Sequence, residues 1–143
     1  MKIIIINGPN LNLLGVRQPE IYGSEPFEAK LKDLRSQFPE LDIHYFQSNH
    51  EGELIDKLHE TGFSYAGIIL NPGGYSHTSV ALSDAVAAIK SPVIEVHLSN
   101  IYSREEFRRH SFISPYCKGV ISGLGLYGYE AALHALISLE LEK

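Results

Sequence analysis

Three short apolar runs, each rich in β-branched residues and bounded by turn-forming ones, constrain this chain more than any other feature: Ile3 to Ile6, Ala66 to Leu70, and Val93 to Leu98. Short, mostly apolar runs of that length are the pattern of strands buried on both faces. Helical faces lie between them. Phe27, Leu31, Leu34 and Phe38 recur at helix period, as do Leu54, Ile55 and Leu58, and then Leu82, Val86 and Ile89. Ser24 is the expected N-cap of the first of these helices, with Glu25 and Glu28 in its first turn, and Pro39 ends it. Ile43 to Phe46 adds a second strand and Gly119 to Ser122 a fifth, while Tyr129, Leu133, Leu136 and Ile137 predict a closing helix.

Strands that alternate with helices imply a parallel sheet with right-handed crossovers and helices on both faces. The expectation is an α/β fold: a flavodoxin-like, doubly wound, five-stranded parallel sheet in three α/β/α layers. Its 143 residues suit a single domain spanning 1–143. With 44% apolar and 20% charged residues, nothing in the composition suggests disorder, collagen or a coiled coil. Twelve Lys and Arg against 17 Asp and Glu leave a net charge of -5, the wrong sign for general nucleic-acid binding. The single Cys117 can form neither an internal disulfide nor a cysteine-based zinc site. No apolar run approaches the roughly 20 residues that span a bilayer, and Ile3 to Ile6 meets Asn7-Gly8-Pro9 too soon for a signal peptide. A cytoplasmic protein without a membrane partner is expected.

In doubly wound sheets ligands gather beyond the carboxyl ends of the strands, so the loops starting at Asn7, Asn71, Leu98 and Gly123 are expected to share a crevice. The first loop, Asn7 to Gly23, runs for seventeen residues and carries Arg17 and Tyr22 between Gly15 and Gly23, which could hinge a closing flap. A solvated arginine and a packed tyrosine are the plainer alternative. The second, Asn71-Pro72-Gly73-Gly74-Tyr75-Ser76-His77-Thr78-Ser79, offers close backbone approach and a helix start suited to a small carboxylate or phosphate. It could equally be a simple turn capped by Ser76 or Thr78. In the fourth strand, alternation puts Glu95 and His97 on one side. A carboxylate beside an imidazole fixes its tautomer and suits it to general-acid work, whereas a lone buried histidine is more often structural. Tyr102 to Arg109 reads as a short helix with three arginines, of which only those facing the crevice matter.

Other chemistries fit poorly. Gly123-Leu124-Gly125-Leu126-Tyr127-Gly128 matches G-x-G-x-x-G but follows the last strand with no acidic strand end beyond it, so a tight turn with close helix packing is expected. A receiver domain needs carboxylates where this chain has Asn7 and Asn71. There is no H-E-x-x-H pair and no G-x-S-x-G elbow, so neither a metal site nor a serine hydrolase is expected.

Five segments taken in order carry a specific resemblance: G-P-N-L-N-x-L-G-x-R-x-P-x-x-Y-G from Gly8, N-P-G-G-Y-S-H-T-S from Asn71, E-V-H-L-S-N from Glu95, R-E-x-F-R from Arg104, and G-V-I-x-G-L-G-x-x-G-Y from Gly119. Over nearly its whole length the chain resembles the type II 3-dehydroquinate dehydratases of the shikimate pathway. One departure is Gln18, where the family more often carries an acidic residue. The resemblance implies dehydration of 3-dehydroquinate to 3-dehydroshikimate by anti elimination through an enolate, without metal, cofactor or Schiff base. On that pattern Tyr22 is the base, Arg17 its electrostatic helper, His97 the acid that protonates the leaving hydroxyl, Glu95 its orienting partner, and Asn10 the holder of a water against the enolate oxygen. A free tyrosine ionises at about pH 10, so lowering it by two or three units requires about 3 to 4 kcal/mol of differential stabilisation. The pattern further implies that Asn71, His77 and the Leu98 and Ser99 amides hold the carboxylate and hydroxyls, that Arg108 binds a ring hydroxyl, and that Asp84 reaches a neighbouring site. The family's usual assembly is a dodecamer of trimers.

Two other classes remain compatible with the residues alone. One is an enzyme of the same fold acting on another small hydroxy acid, which a substrate screen separates. The other is a non-catalytic binding module, for which Tyr22→Phe leaves function untouched.

Overall fold

A computed structural model of the chain describes residues 1–16, 18–22 and 26–143, with Ile21 and Tyr22 described by their backbone. Five parallel strands form one sheet in the order β2-β1-β3-β4-β5: β1 (Lys2–Asn7), β2 (Asp42–Gln47), β3 (Gly67–Asn71), β4 (Val93–His97) and β5 (Gly119–Ser122). This is the flavodoxin-like strand order, reversing direction at β1. Central β3 and β4 are buried along their whole length, whereas β2 and β5, at the edges, are mostly part-exposed.

The helices are α1 (Pro19–Tyr22), α2 (Phe27–Gln37), α3 (Glu51–Thr61), α4 (Val80–Ala88) and α5 (Tyr127–Leu141). Because successive strand side chains point to opposite faces, the isoleucines of β1 divide between two cores. Ile3 and Ile5 join Ile69, Ile94 and Val96 under Phe27, Leu31 and Leu34 of α2 and Tyr129, Leu133 and Leu136 of α5. Ile4 and Ile6 join Ile68, Leu70 and Val93 under Leu54 and Leu58 of α3 and Leu82 and Val86 of α4. Each fully buried isoleucine or leucine contributes ~1.5–3 kcal/mol of transfer free energy. The three-layer sandwich is thus the only way to cover a sheet that is apolar on both sides.

Local details depart from the sequence expectations. Helix α2 starts at Phe27 after Pro26 rather than from a cap at Ser24, which lies outside the described residues. Helix α4 is capped by Ser79, whose Oγ accepts from Leu82 N at 2.9 Å; neither Ser76 nor Thr78 does so, because a 3-10 turn at Gly73–His77 delays the helix. The expected helix over Tyr102 to Arg109 is instead two 3-10 turns, Ile101–Ser103 and Glu106–Arg109, broken by extended backbone at Arg104. No helix among the described residues is long and apolar enough to cross a membrane.

Candidate active site

The β1 and β3 loops interlock at the switch point. Gly8 N–H donates to Asn71 O at 2.7 Å, and a Cβ on Gly8 would sit 2.6 Å from Pro72 O, so only glycine allows this approach. Gly73, at φ +60, turns the second loop back toward Pro9. Next to them Asn10 adopts the left-handed region at φ 71, with its N–H donating to Asn49 Oδ1 at 3.0 Å. Gln47 Nε2 donates to both Gly8 O and Asn49 Oδ1 at 3.1 Å, and Tyr75 Oη donates to Asn49 O, also at 3.1 Å. The end of β2 therefore braces a strained asparagine that faces the cleft.

That cleft has a volume of about 130 Å³ and lies beyond the carboxyl ends of β1, β3 and β4. Asn10, Asn71, His77, His97, Leu98, Ser99 and Arg108 line it, with the His77 and His97 rings stacked at a centroid distance of 6.2 Å. The loop from Gly123 does not reach it. Gly123 N–H and Gly125 N–H donate to His97 O and Leu98 O, at 3.2 and 2.9 Å, so this loop props the end of β4 from behind. The start of α4 does not face a ligand either, since its cap Ser79 also donates to Glu51 Oε2 on α3; the Gly73 and Gly74 backbone lines the cleft in its place.

Glu95 and His97 project toward the α3/α4 side of the sheet, as strand alternation requires. Glu95 is fully buried, and its Oε2 contacts His97 Nε2. Three hydroxyls complete the carboxylate's surroundings. Ser76 donates to Oε2 at 3.1 Å, Ser114 to Oε1 at 2.6 Å, and Ser111 to Oε2 and Oε1 at 3.0 and 3.3 Å. Burial alone pushes the Glu95 carboxyl up, but the His97 contact and the Ser114 and Ser111 hydrogen bonds outweigh it and hold the group below its ordinary value. With Nε2 committed to Glu95, Nδ1 is the His97 nitrogen left to exchange a proton with a ligand.

His77 is fixed differently. Its Nδ1–H donates to His110 O at 2.8 Å, and burial, joined by the His97 and Arg108 charges, pulls its imidazole below the ordinary value. A neutral ring with Nδ1 protonated presents Nε2 as an acceptor, suited to a hydroxyl. Asn71 Nδ2 donates to Tyr129 Oη at 3.0 Å while its Oδ1 accepts from Gly73 N at 3.2 Å, so the asparagine at the cleft floor is held from α5.

Of the three arginines, Arg108 and Arg104 line the cleft and Arg109 does not. Arg108 Nε donates to Glu105 Oε2 at 2.6 Å, and Arg104 Nη1 lies 3.4 Å from Ser99 Oγ. Asp84 is exposed on α4, away from the cleft and turned out of the monomer. Arg17 and the Tyr22 side chain lie outside the described residues. Sequence reasoning named Arg104 only as one of three arginines without a role, missed Ser111 and Ser114, and considered Ser76 only as a cap. Among the described residues no three His, Cys, Asp or Glu side chains are grouped to hold a metal ion.

Comparison with known proteins agrees over the whole fold. The profile of the family described as Dehydroquinase class II matches residues 1–137. The 3-dehydroquinate dehydratase 1 of Agrobacterium fabrum is 55% identical over 136 residues, covering 94% of both chains. The 3-dehydroquinate dehydratase of an Exiguobacterium species is 51% identical over 138 residues, 96% of this chain and 94% of that one. The crystal structure of the type II dehydroquinase from Butyrivibrio crossotus superposes with a TM-score of 0.92 at 46% identity, covering 95% of this chain and 97% of that one.

Proposed function

This chain belongs to the class II dehydroquinase family, and we propose on that footing that it dehydrates 3-dehydroquinate to 3-dehydroshikimate by anti elimination through an enolate. The observation that carries the reading is the buried Glu95–His97 pair opening onto a cleft lined by Asn10 and two arginines, since an elimination of this kind needs a positioned acid and donors for a developing oxyanion. Tyr22, as phenolate beside Arg17, removes the proton next to the ketone. Asn10 holds a water against the enolate oxygen. His97 then delivers a proton from Nδ1 to the departing hydroxyl, which leaves as water, while Glu95 holds the ring through Nε2. Asn71, His77 and the Leu98 and Ser99 amides bind the substrate's carboxylate and hydroxyls, and Arg108 binds a ring hydroxyl.

No metal or organic cofactor enters this scheme. The catalytic unit is one domain, residues 1–143, working in the cytoplasm. Asp84, exposed on α4, serves a neighbouring subunit's site in a dodecamer of trimers. The test is direct. Purified protein mixed with 3-dehydroquinate should generate the ultraviolet absorbance of a conjugated enone, and Tyr22→Phe should abolish it with the fold intact. Undiminished turnover in that variant removes Tyr22 from the mechanism, and no signal from folded, unmutated protein removes this substrate.

A further inference from the structure

Glu95 is an anion buried beside the α3/α4 core, flanked on its face of β4 by Val93 and His97. A buried charge of that kind persists only when its lone pairs are met by donors. His97 supplies one and Ser76 another, from the loop that also lines the cleft. The remaining donors come from outside the cleft, in the stretch between the two arginine-bearing turns and β5. There Ser111 Oγ accepts from Ile113 N–H and Ser114 N–H, both at 3.2 Å, and turns its own proton onto Glu95. Ser114 donates at 2.6 Å, the shortest of the three serine contacts to this carboxylate. A carboxylate that accepts from every side cannot also carry a proton without breaking one of those bonds.

We propose that Ser111 and Ser114 are positioning residues for the acid: their hydroxyls keep Glu95 ionised and oriented, and through it hold His97 with Nε2–H turned inward and Nδ1 turned toward the substrate. The proposal rests on the reading of His97 as the proton donor. A proton added to Glu95 occupies one of the lone pairs that the serines and His97 use, so the carboxyl must turn, and the His97 imidazolium loses the partner that aims Nδ1 at the substrate. The serines thus set how far the pH can fall before the acid is disabled. The titratable groups coupled to Glu95 are His97, His77 and Cys117.

The experiment compares Ser114→Ala, Ser111→Ala and the rescue variant Ser114→Thr with the unmutated enzyme, following kcat and KM for 3-dehydroquinate against pH. Removing a hydroxyl should move the acid limb of kcat upward by about one to two pH units, with KM at the optimum changed by less than about twofold. Ser114→Thr should restore the limb. In a Glu95→Gln background the serine substitutions should shift nothing further. An unmoved acid limb, or losses that persist undiminished in the Glu95→Gln background, overturns the proposal. A second readout needs no substrate: the thermal midpoint of Ser114→Ala should lie lower at neutral pH and fall less on acidification, because a carboxyl held low contributes stability that is present above its unfolded value and lost as pH drops through its folded value, and raising the folded value shrinks that contribution. If the unmutated protein is inactive on 3-dehydroquinate yet this shift appears, the Glu95 assignment stands and the substrate fails. An active enzyme with no shift in either readout refutes the serines' role.

Discussion

Replacing Tyr129 by Phe removes a single oxygen from the interior and should be felt both in stability and at the cleft. Tyr129 is fully buried on α5, its hydroxyl donating to Asn7 Oδ1 at 2.9 Å and accepting from Asn71 Nδ2 at 3.0 Å. Burial holds the phenol above its ordinary value, so the proton stays in place to be donated. The Phe ring keeps the edge-on contact with Phe27, at a centroid distance of 4.9 Å, so packing is conserved. What is lost is the bridge between the carboxyl ends of β1 and β3. Two buried amide groups are left without that partner, at about 1–3 kcal/mol each before relaxation, so a net loss of ~2–4 kcal/mol is expected. At ~3–4 °C per kcal/mol for a chain of this size, the thermal midpoint should drop by ~6–15 °C. Asn71 also loses its anchor while keeping its bond from Gly73, so KM should rise more than kcat falls. The assays are thermal unfolding at one fixed protein concentration and steady-state kinetics with 3-dehydroquinate. A midpoint within about 2 °C of the unmutated protein, with unchanged KM, would refute the bridge.

Gly8→Ala places a Cβ 2.6 Å from Pro72 O and 2.8 Å from Pro72 C, both backbone atoms, so the loop carrying Asn10 must move. A destabilisation of ~1–3 kcal/mol and a drop in turnover are expected, and an unchanged melting curve would show that the two loops do not interlock. Burial, helped by the nearby Glu95 charge, pushes the Cys117 thiol up to about 12. The folded protein should therefore resist iodoacetamide at pH 8 while the urea-unfolded chain reacts fully, as mass spectrometry can count; rapid labelling of the folded form contradicts the burial.

The strands and the helices that cover them were legible because local period dictates them. Four consecutive β-branched isoleucines cut short by Asn7-Gly8-Pro9 favour a strand with apolar neighbours on both sides, and β1 divides Ile3 and Ile5 from Ile4 and Ile6 between two cores accordingly. The same period-two alternation foretold that Glu95 and His97 would meet. Helix ends were less legible. Ser76, Thr78 and Ser79 are equally good caps as residue types, and the 3-10 turn that selects Ser79 depends on Gly73 meeting the Pro9 backbone of another loop.

The amino-acid order by itself determined the layers, the strand ends at which a cleft forms, and the family whose motifs fill those ends. Tertiary structure alone decided which side chains serve the cleft and which serve its walls. Arg104 faces it and Arg109 does not, although both lie on the same short stretch, because an extended residue between two 3-10 turns resets the direction of the chain. Ser111 and Ser114 find Glu95 across 16 and 19 residues of sequence. A hydroxyl carries no local signature of its partner; the partner is set by where the chain returns to the sheet, and that is a property of the packed core.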